Sequence, residues 1–263
     1  MRIIAGPCQH ESYEQSLAIA RECQRVCNKH NVDYVFKASF DKANRSSDNP
    51  KRGLGIDQTL QDFRKIKATF PKFQMLTDVH EKEHINIIQT VYFDVIDVIQ
   101  IPAFLCRQTD LVKHAAATRK IINIKKGQFL APWDMKGILE KCSKASEVWI
   151  TERGTTFGYN TLVVDFTGLD YMLHNFKNVV FDVTHAVQKP GGLGGSSGGN
   201  REYVPGLARA GSALGIKNFF MEVHEDPDNA PSDGPNMIPL KKLDKVVGDI
   251  VKYNYENRNI NTR

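Results

Sequence analysis

Short runs rich in β-branched residues alternate with longer segments of helical period along the whole sequence, and this happens eight times. Candidate strands fall at residues 2–5, 33–38, 74–77, 95–100, 121–125, 148–151, 179–182 and 219–222. Candidate helices fall between them at 14–30, 57–69, 82–91, 108–118, 134–145, 169–176, 201–214 and 243–255. In the first helical segment Leu17, Ala20, Val26 and Cys27 lie near one face, as an amphipathic helix requires. Apolar strands that each feed a helix build a parallel sheet covered by helices, and eight such units are the number that closes into a (β/α)8 TIM barrel. A doubly wound open sheet uses the same parts. The regularity of the eight units, with no Pro/Ser-rich linker between them, predicts closure. The chain therefore reads as an α/β protein with a single barrel domain over 1–263.

Charge narrows the partners. The 35 Lys+Arg against 30 Asp+Glu leave a net +5, which suits either nucleic acid or small phosphorylated molecules. The cations are spread out, without a basic arm, zinc-finger spacing or an aromatic RNA-binding motif, so nucleic acid is not an expected partner. No apolar run approaches the ~20 residues of a membrane helix. The residues up to Pro7 are too short in their apolar part for a signal peptide. A soluble, cytoplasmic protein with no membrane association is expected. The five cysteines, an odd number with no CxxC pair, argue for reduced thiols.

Active sites of such barrels sit at the C-terminal ends of the strands. Here those ends carry Gly6-Pro7-Cys8, Lys37, Thr77-Asp78, Gln100, Lys125, Glu152-Arg153, His185 and Glu222 in turn. Every strand contributes a polar residue. The cations Lys37, Lys42, Arg45, Lys125 and Arg153 converge with fewer acids, which describes a pocket for anionic, phosphorylated ligands. Cys8, His185, Glu222 and Asp233 form a second group, whose thiolate, imidazole and carboxylates suit a divalent transition metal rather than Mg²⁺ or Ca²⁺. Closure makes these distant residues neighbours, because the eighth strand pairs with the first. His10 and His224 are rival imidazoles that spacing leaves open, and Cys8 can also be read as a small buried core residue. Cys23, Cys27 and Cys142 lie in helical segments and read as packing residues.

Three long loops follow strands two, seven and eight, at 39–56, 186–200 and 223–239. The second holds six glycines within the nine residues 191–199. Loops of that length at the top face of a compact barrel are more often lids or binding loops than filler.

Five stretches then carry a resemblance. They are Lys37-Ala38-Ser39-Phe40-Asp41-Lys42-Ala43-Asn44-Arg45-Ser46-Ser47, Gln100-Ile101-Pro102-Ala103-Phe104-Leu105-Cys106-Arg107-Gln108-Thr109-Asp110, Asn123-Ile124-Lys125-Lys126-Gly127-Gln128-Phe129, Thr151-Glu152-Arg153-Gly154-Thr155-Thr156-Phe157-Gly158-Tyr159-Asn160 and Asp182-Val183-Thr184-His185. The set closely resembles the 3-deoxy-D-manno-octulosonate 8-phosphate synthases, and the match runs from Ile3 to the last helix. The related seven-carbon 3-deoxy-arabino-heptulosonate 7-phosphate synthases share Gly-Pro-Cys but carry Lys-Pro-Arg-Thr where this chain has Lys42-Ala43-Asn44-Arg45.

The resemblance implies condensation of phosphoenolpyruvate with D-arabinose 5-phosphate in lipopolysaccharide precursor synthesis, by a homotetrameric barrel. It implies that Lys37, Lys42, Lys125 and Arg153 hold phosphoenolpyruvate, that Asn44 meets the sugar hydroxyls, and that Arg45 and Ser46 take the sugar phosphate. It implies further that Arg107 reaches that phosphate from a neighbouring subunit, that Ser197 joins it, and that Asp78, Gln100 and Phe104 line the sugar channel. Members with Cys after Gly-Pro are metal-dependent and those with Asn are not. Cys8 thus implies a metal on Cys8, His185, Glu222 and Asp233, with Zn²⁺, Fe²⁺, Mn²⁺ and Co²⁺ all open. Lys37, Lys42, Asn44, His185 and Asp233 are the residues expected to carry the chemistry. The competing readings are the seven-carbon synthase, a Schiff-base aldolase using Lys37 or Lys125, and a phosphate-ligand binding protein without catalysis.

Overall fold

The computed structural model describes residues 1–43, 52–191 and 197–260, leaving aside the side chains of 255–260. Among these residues eight strands alternate with eight α-helices: β1 (Arg2–Gly6), α1 (Tyr13–Lys29), β2 (Asp33–Lys37), α2 (Ile56–Thr69), β3 (Gln74–Asp78), α3 (Lys82–Thr90), β4 (Val98–Ile101) and α4 (Thr109–Ala117) form the first half. The second half is β5 (Ile121–Lys125), α5 (Met135–Lys141), β6 (Glu147–Glu152), α6 (Phe166–Asn175), β7 (Val179–Asp182), α7 (Val204–Leu214), β8 (Asn218–His224) and α8 (Leu243–Ile260). The strands pair in chain order, all parallel, and β8 pairs back onto β1 with Gly6 opposite Glu222. The sheet is closed, and the TIM barrel expected from the alternation is the fold.

Side chains alternate across a strand, and that period of two builds two separate cores. One residue per strand fills the barrel interior: Ile4, Val35, Leu76, Val98, Ile121, Trp149, Val180 and Phe220. Their neighbours, such as Ile3, Tyr34, Phe36, Met75, Ile99 and Phe181, face the helices in a larger core. Burying each large apolar side chain contributes about 1.5–3 kcal/mol before entropy is counted. At the N-terminal end of the barrel the Arg2 guanidinium covers Trp149 at 4.2 Å. Two or four residues further along the inward faces stand Lys37, Asp78, Gln100, Lys125, Arg153, Asp182 and Glu222. The apolar layer thus forms a floor and the polar layer lines the mouth.

Some boundaries differ from those the sequence suggested. β4 begins at Val98 rather than Val95, because the amides of Val95 and Ile96 both bond to Tyr92 O in a turn before the strand. α6 begins at Phe166, where Asp165 accepts a hydrogen bond from Thr167 N and caps it. A 3₁₀ turn at Arg201–Tyr203 precedes α7, and α5 is shorter than expected. The antiparallel pairs Thr155–Thr156 with Leu162–Val163 and Gln188–Lys189 with Gly198–Gly199 were not foreseen. They are two-residue ladders with no hydrophobic alternation to announce them. No helix is long and apolar enough to cross a membrane among the described residues.

Candidate active site

The polar mouth of the barrel opens into a cavity of about 660 Å³. Lys37, Lys42, Asp78, Gln100, Phe104, Lys125, Arg153, His185, Ser197 and Asp233 all line it. Each barrel strand delivers its residue by pointing its last inward position upward. Glu152 and Lys126 therefore turn away, since each follows or precedes an inward residue on the same chain. Lys126 is fully buried and pairs with Glu152 at 3.2 Å, while Glu152 Oε1 accepts from the amides of Arg153 and Gly154. Glu152 and Arg153 are thus no side-chain ion pair, and the carboxylate instead fixes the backbone that carries the guanidinium. Asp78 does not cap α3; it accepts from Ser39 Oγ at 2.5 Å and pairs with His80 at 3.2 Å.

Cations line the cavity. Lys37 Nζ donates to Glu222 Oε1 at 2.8 Å and to Cys8 O at 3.2 Å. Lys125 Nζ pairs with Asp182 at 2.5 Å and sits 3.2 Å from the centroid of Phe220. Burial, opposed in part by Asp182, brings Lys125 down to about 8. Arg153 Nη2 donates to Gln188 Oε1 at 2.8 Å, whereas its buried Nη1 donates to no acceptor among the described residues. Burial works against a charged Lys42, but Cys8, Glu222, Asp78 and Asp233 outweigh it and raise this amine above its ordinary range. Lys42 Nζ donates to Ser39 Oγ at 3.0 Å.

Metal-type donors stand in contact with these cations. The ligand atoms of Cys8, Glu222 and Asp233 all lie within 4.8 Å of one another, with Cys8 Sγ 3.2 Å from Asp233 Oδ2. His185 Nε2 approaches this group on the side of Glu222, 3.9 Å from Oε2. Its Nδ1 is held at 2.7 Å by Asp182 Oδ2, which fixes ring orientation in the way that metal-bound histidines are usually fixed. Asp233 adopts the left-handed conformation at φ 53°, an uncommon backbone state for a non-glycine residue. Burial first, then Glu222 and Asp233, push the Cys8 thiol well above its ordinary range. Glu222 Oε2 is buried and accepts no hydrogen bond. A buried carboxylate, a partly buried one and a buried thiol around such an unsatisfied oxygen fit a bound cation, which would favour the thiolate and compensate the crowded negative charge.

The rival imidazoles are engaged elsewhere. His10 bonds Ser16 and Asp62, and His224 bonds Glu11, Gln15 and the amide of Asp226. All five cysteines are free and buried, and Cys23, Cys27 and Cys142 pack in the outer core. Arg107 is exposed and does not line the cavity of its own chain. Asn44, Arg45 and Ser46 lie outside the described residues. Sequence reasoning missed Gln188, which bridges Arg153 to Asp233 Oδ1 at 2.8 Å, and gave no role to Asp182, which holds both Lys125 and His185. Asp182 had a signal, being the last inward residue of its strand. Gln188 had none.

Comparison with known proteins adds to this geometry. Residues 1–254 match the model of the DAHP synthetase I family. A Rickettsia bellii protein is 51% identical over 253 residues, 95% of this chain and 90% of its own length. A Caulobacter vibrioides protein is 51% identical over 255 residues, 96% and 87% of the two chains. A Brucella anthropi protein is 49% identical over 253 residues, 95% and 90%. All three bear the name 2-dehydro-3-deoxyphosphooctonate aldolase.

Proposed function

The chain belongs to the DAHP synthetase I family, and from that premise we propose that it is a 2-dehydro-3-deoxyphosphooctonate aldolase acting in the synthetic direction. It condenses phosphoenolpyruvate, D-arabinose 5-phosphate and water to 3-deoxy-D-manno-octulosonate 8-phosphate and inorganic phosphate, a step of lipopolysaccharide precursor synthesis. The relatives at about half identity carry the eight-carbon name. The observation that carries the reading is the mouth itself, where Lys37, Lys125 and Arg153 stand beside the Cys8–Glu222–Asp233 cluster.

Phosphoenolpyruvate brings roughly three negative charges, which buried, preorganised cations bind strongly and continue to stabilise as charge moves. Arg153 Nη1 is buried with no acceptor among the described residues, which leaves a donor for its phosphate or carboxylate. Lys37 and Lys125 are fixed by Glu222 and Asp182, so little reorganisation accompanies binding. The C2=C3 electron pair of phosphoenolpyruvate forms the bond to the sugar aldehyde carbon, and water adds at C2. The tetrahedral carbon then loses phosphate with C–O cleavage and becomes the ketone. Asp78, Gln100 and Phe104 line the path the sugar takes, with Asn44 on its hydroxyls and Arg45, Ser46, Ser197 and the partner's Arg107 on its phosphate, in a cytoplasmic homotetramer.

Cys8, His185, Glu222 and Asp233 would hold a divalent transition metal. When bound, it supplies Lewis acidity, which polarises the aldehyde or lowers the pKa of a water towards about 7. The test is phosphate release from phosphoenolpyruvate with arabinose 5-phosphate against erythrose 4-phosphate as acceptor. Preference for the five-carbon sugar is expected, and preference for erythrose 4-phosphate would overturn the assignment.

A further inference from the structure

His10 stands two residues from Cys8 and has no part in the reaction as written above. It is fully buried, edge-on to Phe63 at 5.5 Å, and both ring nitrogens are engaged. Nδ1 lies 2.7 Å from Ser16 Oγ on α1, and Nε2 lies 3.2 Å from Asp62 Oδ2 on α2. An ionised carboxylate only accepts, so Nε2 donates to Asp62 and Nδ1 is left to accept from the Ser16 hydroxyl. Asp62 is held in turn by Lys65 Nζ at 2.9 Å and Gln58 Nε2 at 3.1 Å. The order Ser–His–Asp is that of a hydrolytic triad, but Ser16 is 0% and Asp62 4% exposed, so no substrate reaches it.

A satisfied polar network in a core rigidifies one arrangement of the groups it joins. Here it joins two helices to the tripeptide Cys8-Gln9-His10. His10 N donates to Ser39 O at 2.9 Å, Ser39 N donates to Cys8 O at 3.2 Å, and Lys37 Nζ reaches the same Cys8 carbonyl. One end of the tripeptide is anchored through the imidazole, and the other aims Cys8 Sγ at Asp233.

We infer that His10 is a positioning residue for Cys8: its bonds to Ser16 and Asp62 fix the loop between β1 and α1 so that the thiol stands in register with Glu222 and Asp233. The inference rests on the metal-site reading proposed above. Loss of groups that orient a metal ligand commonly weakens metal binding about 10–100-fold, and a shift in that range is expected here.

The experiment is titration of Co²⁺ into the chelator-stripped full-length protein, followed by the thiolate-to-metal charge-transfer band and by chelator competition. Wild type, Cys8→Ala, His10→Leu and the gentler Ser16→Ala are compared. Ser212→Ala serves as the control, since it removes a buried hydrogen bond to Ile250 O, remote from the site. A Cys8-dependent band in wild type, with weaker affinity and a displaced band in His10→Leu and a smaller change in the same direction in Ser16→Ala, is the expected result. If His10→Leu or Ser16→Ala lowers thermal stability as Ser212→Ala does while affinity and band stay at the wild-type values, the inference is overturned and the network only staples helices. A wild-type protein with no Cys8-dependent band would overturn the metal-site reading itself, and the inference with it.

Discussion

Lys37 Nζ lies 2.8 Å from Glu222 Oε1 with both side chains buried, so a single ion pair ties the cations of the barrel mouth to its cluster of metal-type donors. Removing one partner of a buried pair strands the other charge, at a cost of about 3–5 kcal/mol, whereas removing both costs much less. Lys37→Met should therefore lower stability by about that amount and abolish activity. Lys37→Met combined with Glu222→Gln should recover much of the stability and none of the activity. Denaturant titration of the single and double variants checks this, and a double variant no more stable than Lys37→Met would contradict the pairing.

Asp182 lines the cavity and holds both Lys125 and His185 there. Burial disfavours its ionised form, but His185 and Lys125 more than offset this and keep its carboxyl below the usual range. Asp182→Asn keeps the shape and removes the charge. It should lower kcat/KM about 10–100-fold, as loss of groups behind a metal ligand usually does. Steady-state kinetics with both substrates checks it, and wild-type kinetics would refute the positioning role.

The pH dependence has a definite sign at Lys125. Below about 8 its amine is protonated and attracts phosphoenolpyruvate; above that value the free enzyme loses the charge. The alkaline limb of kcat/KM for phosphoenolpyruvate reports the free enzyme, so it should begin near pH 8 and fall about tenfold per unit. Lys125→Arg carries a guanidinium that does not titrate in this range, and it should move the limb upward. The same limb in both proteins would assign it to another group. Borohydride trapping with substrate should leave Lys125 unmodified, and an adduct there would favour the Schiff-base reading.

Gly6 ends β1 beside the end of β2. A Cβ there would meet Lys37 O at 2.0 Å, and the atoms nearest it are all backbone of Lys37, which cannot swing aside as a side-chain end can. Gly6→Ala should destabilise the protein by about 3 kcal/mol or more, since overpacking a rigid site has no cheap relaxation. Thermal melting tests it, and an unchanged midpoint would contradict the close approach.

The barrel was legible because its inner and outer cores write two patterns into each strand, as in Tyr34-Val35-Phe36-Lys37, where alternate residues belong to different layers. The same period explains why Lys37, Asp78, Gln100, Lys125 and Glu222 could be read as mouth residues, and it separates Arg153 from Glu152, which the sequence placed together at the end of the sixth strand. Asp182 fits the pattern and was given no role, since its work is done through Lys125 and His185. Gln188 lies on a short hairpin after β7 whose two-residue ladder leaves no trace in hydrophobic pattern. The choice among Cys8, His10, His185 and His224 as ligands needed three dimensions, because partners such as Asp62 and Glu11 are remote in sequence from the histidines they occupy.

Phosphate release from phosphoenolpyruvate plus arabinose 5-phosphate, measured before and after treatment with EDTA and again after divalent metal is restored, bears most directly on the proposed reaction. Activity that disappears with the chelator and returns with the metal is expected from a barrel mouth in which buried cations face Cys8, His185, Glu222 and Asp233. Phosphate release that persists in protein shown by metal analysis to be stripped would contradict the metal site, and no release under any condition would contradict the reaction itself.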